Sequence, residues 1–430
     1  MAFDSRSKEL NRRLYNFLDS SPTPFHAVLQ MSRILEKAGF TQISETEDWN
    51  IHQGGKYFVT RNQSALIAFI VGDSDHAEYG ARIVGAHTDS PALMVKPQSE
   101  IRENGFLQLG IEVYGGALLN PWFDRDLSMA GRVVCQSIEG ELSSRLIDLK
   151  RPVAFIPSLA IHLDKTANKN RSINPQTDLS PIMLQFKKNQ DLREVLQSEC
   201  LKDALAIIDY ELYLYDSVGA KELGLQNEFF SSGRLDNLLS CFVGVEALTY
   251  ADSKHFCALV CNDHEEVGSI SASAAGGSFL ESVFERIFVG KPLSSLLTRS
   301  MFISCDNAHA VHPNYKRQHD VRHQPVLNKG PVIKVNAKHR YATTSLTSSI
   351  FKKICLDAEV PVQTFVSRSD LSCGSTIGPI TSARLGIPTI DVGIPQLAMH
   401  SCRETAGVRD PAYLGRALKG FFNFPKPVAV

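Results

Sequence analysis

Histidine and acidic side chains occur in four short clusters that could together bind a metal ion, at residues 85–89, 262–266, 305–309 and 398–400. Each cluster follows a short apolar run that predicts a strand. In an open α/β sheet, ligands bind in the crevice beyond the carboxyl ends of the strands. Imidazole and carboxylate ligands without cysteine suit zinc, manganese or cobalt in hydrolytic sites. The clusters therefore predict a divalent metal site at one edge of a sheet.

Spacing within two of these clusters suggests separate tasks for neighbouring side chains. His87 and Asp89 are two residues apart, so an extended chain would point both to the same side. His87 could then bind a metal while Asp89 holds the imidazole ring or another ligand in position. Glu265 and Glu266 are adjacent and are expected to point apart. A divalent cation would neutralise one of them and leave the other free to accept a proton from water.

Each of these features also has a plainer explanation. A histidine after a strand is more often hydrogen-bonded within the fold than bound to a metal, and a pair of glutamates is usually solvated. Asp236 precedes an apolar, helix-like stretch, so it could equally be a helix cap. The metal site is favoured because imidazole and carboxylate recur at successive strand ends of one predicted sheet.

The composition of the chain is that of a folded, soluble protein. Hydrophobic residues make up 43% of the 430 residues and charged residues 21%, which excludes a disordered or fibrous protein. The 45 basic and 46 acidic side chains nearly cancel and form no long run of one sign. Nucleic acid and anionic membranes are therefore not expected partners.

The compartment is also predicted from the sequence. The N-terminal segment lacks the features of a secretory signal, and no stretch offers about 18 uncharged apolar residues. The nine cysteines include no CxxC pair, which favours reduced thiols over a disulfide framework. We therefore expect a cytoplasmic protein.

Secondary-structure patterns predict an α/β sheet covered by helices on both faces. Residues 7–18, 24–38 and 345–358 carry apolar side chains at helical spacing, and Thr23 followed by Pro24 marks the start of the second helix. Short apolar runs predict strands at residues 57–60, 65–71, 83–84, 256–260, 301–304, 332–335 and 389–392. The first two of these strands should pair as a hairpin.

The sequence pattern changes between about residues 94 and 231. Many short, strand-like runs broken by Gly and Pro replace the alternation of strands and helices. A chain of this length is also long enough for two or three structural units. We predict one domain formed by residues 1–93 and 232–430, with a β-rich domain, residues 94–231, inserted into it.

Five longer motifs occur in order along the chain: SPTPFHA at 21–27, GAHTDSP at 85–91, NDHEEVGS at 262–269, GSTIGP at 374–379 and PQLAMHS at 395–401. They resemble motifs of the M18 metallopeptidases, the aspartyl aminopeptidase family, and the resemblance extends from about residue 8 to about 424. The fold it implies is the α/β sandwich of zinc peptidases, a mixed sheet flanked by helices, with an inserted β-rich dimerisation domain. It also implies a homo-oligomer, a hollow tetrahedral dodecamer built from dimers.

The resemblance implies a co-catalytic pair of zinc ions in each subunit, with manganese or cobalt possible. His87 and His400 resemble the terminal histidine ligands, and Asp236 resembles the bridging carboxylate. Glu266 and Asp306 resemble the remaining carboxylate ligands.

The implied activity is that of an aminopeptidase that removes Asp or Glu from peptide N-termini. Glu265 resembles the general base, and Asp89 resembles the residue that orients His87. The free α-amine of the substrate would bind one metal, which restricts cleavage to the N-terminus.

Three further residues resemble substrate-binding positions of the family. Lys334 and Tyr341 resemble the residues that receive the acidic side chain, although the pattern alone would make Lys334 an ordinary strand-edge charge. His162 resembles a histidine that reaches the active site of a neighbouring subunit, but Ser158 stands where some relatives have a second histidine. Two other functions stay open, a broad-specificity aminopeptidase and a non-catalytic, metal-stabilised scaffold.

Overall fold

The computed structural model describes residues 5–74, 79–185, 191–252 and 254–428. They group into two compact units along the chain. The first unit takes its residues from Met1–Asp89, Ala220–Met399 and Glu404–Val430, and the second from Ser90–Gly219 and His400–Arg403. Within the described ranges, every helix falls short of the length and apolar character needed to span a membrane.

The strands of the described residues are, in chain order, β1 (Thr41–Gln42), β2 (Lys56–Arg61), β3 (Ala65–Ile70), β4 (Arg82–His87), β5 (Ala92–Glu103), β6 (Phe106–Tyr114), β7 (Leu127–Gln136), β8 (Leu142–Asp148), β9 (Ile182–Gln185), β10 (Ala206–Asp216), β11 (Lys221–Leu223), β12 (Phe229–Ser232), β13 (Cys257–Asn262), β14 (Met301–Cys305), β15 (Ala308–His309), β16 (Val332–Val335), β17 (Gln363–Val366), β18 (Thr389–Gly393), β19 (Pro395–Leu397) and β20 (Glu404–Gly407). The α-helices are α1 (Ser5–Asp19), α2 (Pro24–Lys37), α3 (Pro175–Asp178), α4 (Leu192–Cys200), α5 (Leu235–Thr249), α6 (Phe279–Ile287), α7 (Leu293–Thr298), α8 (Ser345–Asp357), α9 (Ile377–Leu385) and α10 (Asp410–Phe422).

A mixed, nine-stranded sheet forms the centre of the first unit. Its order is β1-β2-β3-β13-β4-β14-β18-β16-β17, and it contains all seven strands predicted from the sequence. β2 and β3 pair antiparallel, which confirms the predicted hairpin. The four central strands β13, β4, β14 and β18 run parallel to one another. Their carboxyl ends consequently meet at one edge of the sheet.

Helices cover both faces of this sheet, which confirms the predicted fold class. Because successive side chains of a strand point to opposite faces, Val84 of β4 joins a core with α1, α2, α5, α8 and α10. Its neighbour Ile83 joins a second core with α6, α7 and α9. α2 begins as predicted, with Pro24 in its first turn and the Thr23 hydroxyl accepting the His26 N–H. This helix therefore has one of its otherwise unsatisfied N–H groups capped.

A five-stranded sheet in the first unit determines the residue at which the chain leaves the second unit and returns to the first. Its order is β11-β12-β20-β19-β15. β12 pairs antiparallel with β20, and β11 pairs with β12, so both segments after Gly219 belong to the first unit. The second unit therefore ends at Gly219, whereas the sequence predicts a domain boundary at residue 231. Strand-like texture alone does not reveal the sheet to which a strand belongs.

The second unit is β-rich, as the pattern of residues 94–231 suggests. Its six-stranded sheet has the order β8-β7-β10-β5-β6-β9, and all of its pairings are antiparallel. One face packs on a core of its own with α4, including Leu93, Leu109 and Leu212. A role for this unit in dimerisation stays a prediction.

Candidate metal centre

Three of the four polar clusters lie together at the carboxyl edge of the nine-stranded sheet. His87 is the last residue of β4 and pairs in register with Asn262, the last residue of β13. Asp306 follows directly after β14, the other parallel neighbour of β4. Adjacent parallel strands thus bring side chains from distant parts of the chain to one edge, where an α/β sheet binds ligands.

The fourth cluster does not follow a strand of this sheet, which corrects the prediction. After β18 ends at Gly393 the chain forms β19, which belongs to the five-stranded sheet, and only then reaches His400. His400 groups with the second unit, where its Nδ1 lies 3.0 Å from the Gly116 carbonyl oxygen. The three residues of β19, Pro395–Leu397, carry no apolar signal in the sequence, so the pattern does not predict the change of sheet before His400.

Carboxylates surround the buried imidazole of His87. Its Nε2 lies 3.3 Å from Asp236 Oδ1, 3.6 Å from Asp306 Oδ1 and 4.0 Å from Glu265 Oε2. On the other side of the ring, Nδ1 lies 3.3 Å from Asp89 Oδ1 and 3.0 Å from the Asp89 carbonyl oxygen. Burial lowers the pKa of His87, but the hydrogen bonds to Asp236, Asp306 and Asp89 outweigh it and raise the pKa well above its usual value. The pocket therefore attracts positive charge.

Asp236 lies at the start of α5 without capping it. The cap position belongs to Arg234, which has a left-handed backbone conformation. The Asp236 side chain instead contributes to a group with His87 and Asp306 in which one ligand atom of each lies within 4.8 Å of the others. An oxygen of Asp236 also lies within 4.8 Å of an oxygen of Glu266. Asp236 therefore takes part in two overlapping sets of potential metal ligands.

Glu265 and Glu266 converge, so the expectation that they point apart is wrong. They lie in a 3₁₀ turn, Glu265–Val267, and one oxygen of each lies within 4.8 Å of the other and of a His87 ring nitrogen. Alternation to opposite sides holds for an extended strand but not for such a turn. The pKa of Glu265 is raised to about 7, chiefly by burial; nearby His87 opposes this rise, and the charge of Asp306 adds to it.

Asp89 connects the two parts of this site. Its Oδ1 accepts the N–H of Glu265 at 3.1 Å, and its Oδ2 accepts the N–H of Glu266 at 3.0 Å. The same carboxylate lies beside His87 Nδ1. One buried side chain thus fixes both the imidazole and the turn that carries the two glutamates.

Lys334 lies beside the acidic cluster and is not a strand-edge charge. Its strand, β16, lies between β18 and β17, and the side chain is 3% exposed. Its Nζ is 3.1 Å from Asp306 Oδ2 and 5.4 Å from the centre of the Tyr341 ring. A buried lysine needs such an ionic partner. His162 is exposed, within the second unit.

The sequence alone does not identify Glu404, which hydrogen-bonds to the main chain of Asp236. Glu404 is 1% exposed, and its Oε2 accepts the Asp236 N–H at 3.0 Å. The only signal would have been a charged residue in a short strand four positions after His400. Such a residue is usually solvated, and burial cannot be read from that pattern.

The side chains present suit a divalent metal. Among the described residues, the groups of three or more potential ligands whose atoms lie within 4.8 Å contain histidine and carboxylates but no cysteine. Oxygen and imidazole donors without thiolates favour zinc, manganese or cobalt in a hydrolytic site. Several carboxylates in one buried pocket repel one another, and a bound cation would offset that repulsion.

Comparison with known proteins gives the family. The family model described as "Aminopeptidase I zinc metalloprotease (M18)" matches residues 17–422. The chain is 52% identical over 421 residues to the probable M18 family aminopeptidase 2 of Pseudomonas paraeruginosa, covering 96% of this chain and 98% of that protein. It is 51% identical over 424 residues to the protein of the same description from Azotobacter vinelandii, covering 97% and 99%.

Solved structures agree with the sequence comparisons. A chain of the structure described as the cryo-EM structure of the Ape4 and Nbr1 complex superimposes with a TM-score of 0.93 at 39% identity, covering 97% of this chain and 86% of that one. A structure described as the S. cerevisiae mApe1 dodecamer gives a TM-score of 0.85 at 28% identity, covering 97% of each chain. The family model that matches residues 17–422 and the relatives that are 51–52% identical show that the chain belongs to the M18 family of zinc metalloaminopeptidases.

Proposed function

We propose that this aminopeptidase removes Asp or Glu from peptide N-termini with a pair of divalent metal ions, zinc first among the candidates. His87, Asp306 and the bridging Asp236 would hold one ion, and Asp236, Glu266 and His400 the other. The observation that carries the proposal is the overlap of two ligand groups at Asp236. A carboxylate with two oxygens can serve two cations at once.

The metal ions, Glu265 and Asp89 have separate tasks in the proposed reaction. When bound, the metal ions supply Lewis acidity that polarises the scissile carbonyl and makes water more acidic. Glu265 accepts the proton of the attacking water and delivers it to the leaving amine. Asp89 holds His87 and the Glu265 turn in the geometry that this proton transfer needs.

Lys334 is the proposed determinant of the acidic preference. Its ammonium group is buried beside Asp306 and Tyr341, where a substrate carboxylate would find a positive partner. A buried carboxylate without a cation is strongly disfavoured, so removing this charge should affect acidic substrates more than neutral ones.

We expect Lys334→Met, which removes the charge with little change in volume, to lower kcat/KM for an aspartyl anilide about 10- to 100-fold relative to an alanyl anilide, since a charged hydrogen bond contributes about 1.5–3 kcal/mol. Lys352→Met, on the exposed side of α8, is the control and should leave the ratio unchanged. Zinc content is measured in both variants because Lys334 also pairs with Asp306. An unchanged ratio in zinc-replete Lys334→Met would refute the assignment.

Metal analysis and hydrolysis tests address the proposed function as a whole. The purified protein should contain about two zinc ions per chain and cleave an N-terminal aspartyl peptide, because each of the two proposed ligand groups accommodates one ion. Chelation should abolish cleavage, and added zinc should restore it. Equal rates across a panel of aminoacyl anilides would instead identify a broad-specificity aminopeptidase, and metal binding without hydrolysis would identify a scaffold.

The proposed assembly is a tetrahedral dodecamer built from dimers. The related mApe1 structure is described as a dodecamer. In this chain, exposed apolar side chains in the second unit offer a surface for association: Phe155, Leu159, Ile161 and Leu163. They surround His162 in sequence, the residue that we propose reaches a neighbouring active site. A native mass corresponding to a monomer would contradict this arrangement; a cytoplasmic location stays a prediction.

A further inference from the structure

A closed ring of buried hydrogen bonds lies behind the acidic cluster. Glu404 Oε2 accepts the backbone N–H of Asp236 at 3.0 Å, and Glu404 Oε1 accepts from Gln396 Nε2 at 3.3 Å. Gln396 Oε1 accepts from Asn307 Nδ2 at 3.0 Å. Asn307 Nδ2 also donates to the Leu235 carbonyl oxygen at 2.7 Å. The ring therefore starts and ends at neighbouring residues of the first turn of α5.

Every member of this ring is excluded from solvent, with none more than 4% exposed. The ring joins three separate parts of the chain to the start of α5: the segment after β14, strand β19 and strand β20. Two of the proposed metal ligands are attached to it, since Asp236 is a member and Asp306 directly precedes the member Asn307. Hydrogen bonds in such a buried setting are strong and costly to leave unmade.

Both carboxylate oxygens of Glu404 accept hydrogen bonds, and this determines the direction of the whole ring. An ionised carboxylate only accepts hydrogen bonds, so the Gln396 amide must turn its NH₂ group toward Glu404. Its oxygen then faces Asn307, which donates both to that oxygen and to the Leu235 carbonyl. A neutral amide at position 404 would present a donor to one of its two donor partners, and one link of the ring would break.

We propose that Glu404 is a positioning residue for the metal centre. It holds the main chain of Asp236 directly, and through Gln396 and Asn307 it holds the segment that carries Asp306. Groups that hydrogen-bond to metal ligands commonly fix the orientation of those ligands and change the affinity for the metal. This inference rests on the proposed function, because it takes Asp236 and Asp306 as ligands.

A purely structural role would have a different consequence. Glu404 satisfies an N–H at the start of a helix, and losing such a contact destabilises a protein whether or not a metal binds. A positioning role requires in addition that the affinity for metal falls. Zinc affinity and the unfolding temperature of the metal-free protein therefore separate the two roles.

Glu404→Gln is the test, because glutamine keeps the volume and changes only the charge and one terminal atom. The metal-free protein is titrated with zinc against a chromogenic chelator, and its unfolding temperature is measured separately. Zinc affinity should fall about 10- to 100-fold relative to the unmodified chain, the usual effect of removing a group behind a ligand. Hydrolysis should recover in part as the zinc concentration is raised.

Glu246→Gln is the matched control. Glu246 is also a buried carboxylate of α5, about 15 Å along the helix from Asp236. It pairs with Arg13 at 2.6 Å, remote from the ligands. This variant should unfold at a lower temperature yet bind zinc with the affinity of the unmodified chain.

The proposal is overturned if Glu404→Gln behaves like the control, with reduced stability but unchanged zinc affinity. If Glu404→Gln does not fold, Gln396→Met breaks the ring while leaving the contact between Glu404 and Asp236 in place. Its zinc affinity should also fall, and an unchanged value would overturn the proposal as well. If the unmodified chain itself fails to bind zinc, the proposed function fails instead.

Discussion

Asp236→Ala should leave the protein folded but reduce its zinc content from about two ions per chain to at most one. Asp236 is the carboxylate shared by the two ligand groups that we propose hold the ions, so its loss weakens both metal positions. Metal ions contribute several kcal/mol to stabilising charge in the transition state. We therefore expect kcat/KM to fall by at least about 10³-fold, measured with an aspartyl anilide in zinc-buffered solution.

Stability measurements distinguish this outcome from simple misfolding. Without metal, Asp236 lies within 4.8 Å of oxygens of Asp306 and Glu266, whose like charge repels it, and 3.3 Å from His87, whose charged form it stabilises. Because these two effects oppose each other, the metal-free variant should unfold at a temperature close to that of the metal-free parent chain. Zinc should raise the unfolding temperature of the parent, because it binds the folded state, and should have little effect on the variant.

Asp357→Ala, at the exposed end of α8, is the control for this experiment. It should retain two zinc ions and normal activity, because surface substitutions away from special features change stability by less than about 0.5 kcal/mol. If Asp236→Ala keeps two zinc ions, Asp236 is not a bridging ligand and the proposed centre is wrong.

The strands that carry His87 and Asp306 were predictable because a parallel central strand leaves a strong signal. β4 and β14 are short, apolar and buried on both faces, so their ends, and the polar residues that follow, can be located without a structure. Their arrangement as neighbours explains why residues more than 200 positions apart meet. The same argument failed for His400, since β19 lies between it and the predicted strand β18 and pairs with β20 in another sheet.

Side-chain direction and burial were harder to predict than strand positions. The convergence of Glu265 and Glu266 depends on a 3₁₀ turn held by two hydrogen bonds to Asp89, a contact over 176 positions. Lys334 looks like a surface charge in sequence, but it lies in an inner strand and pairs with Asp306. Such long-range partners follow from tertiary packing, which local patterns do not contain.

Glu265 is the proposed general base and Glu266 a proposed metal ligand, and these two roles predict different effects of substitution. Both converge near His87, so proximity alone does not separate a ligand from a base. A ligand contributes to holding metal, whereas a base contributes only to moving the proton. Replacing each by glutamine should therefore give two different patterns of zinc content and rate.

Glu265→Gln should keep both zinc ions and lose about 10²- to 10⁴-fold in kcat, with little change in KM, because it removes the proton acceptor and leaves the ligands intact. Glu285→Gln, on the exposed face of α6, should change neither quantity. Zinc content and steady-state rates are measured on the same preparations. Full activity in Glu265→Gln would eliminate this residue as the base.

Glu266→Gln completes the comparison, since it should lower zinc affinity and recover activity when zinc is raised. Glu265→Gln should not be rescued in this way, because its metal centre is already filled. If instead Glu265→Gln loses zinc and Glu266→Gln keeps it, the two residues have exchanged roles. Their N–H groups both bond to Asp89, so the backbone of the turn permits either assignment. The rescue by zinc is therefore what decides which carboxylate binds the metal and which one takes the proton.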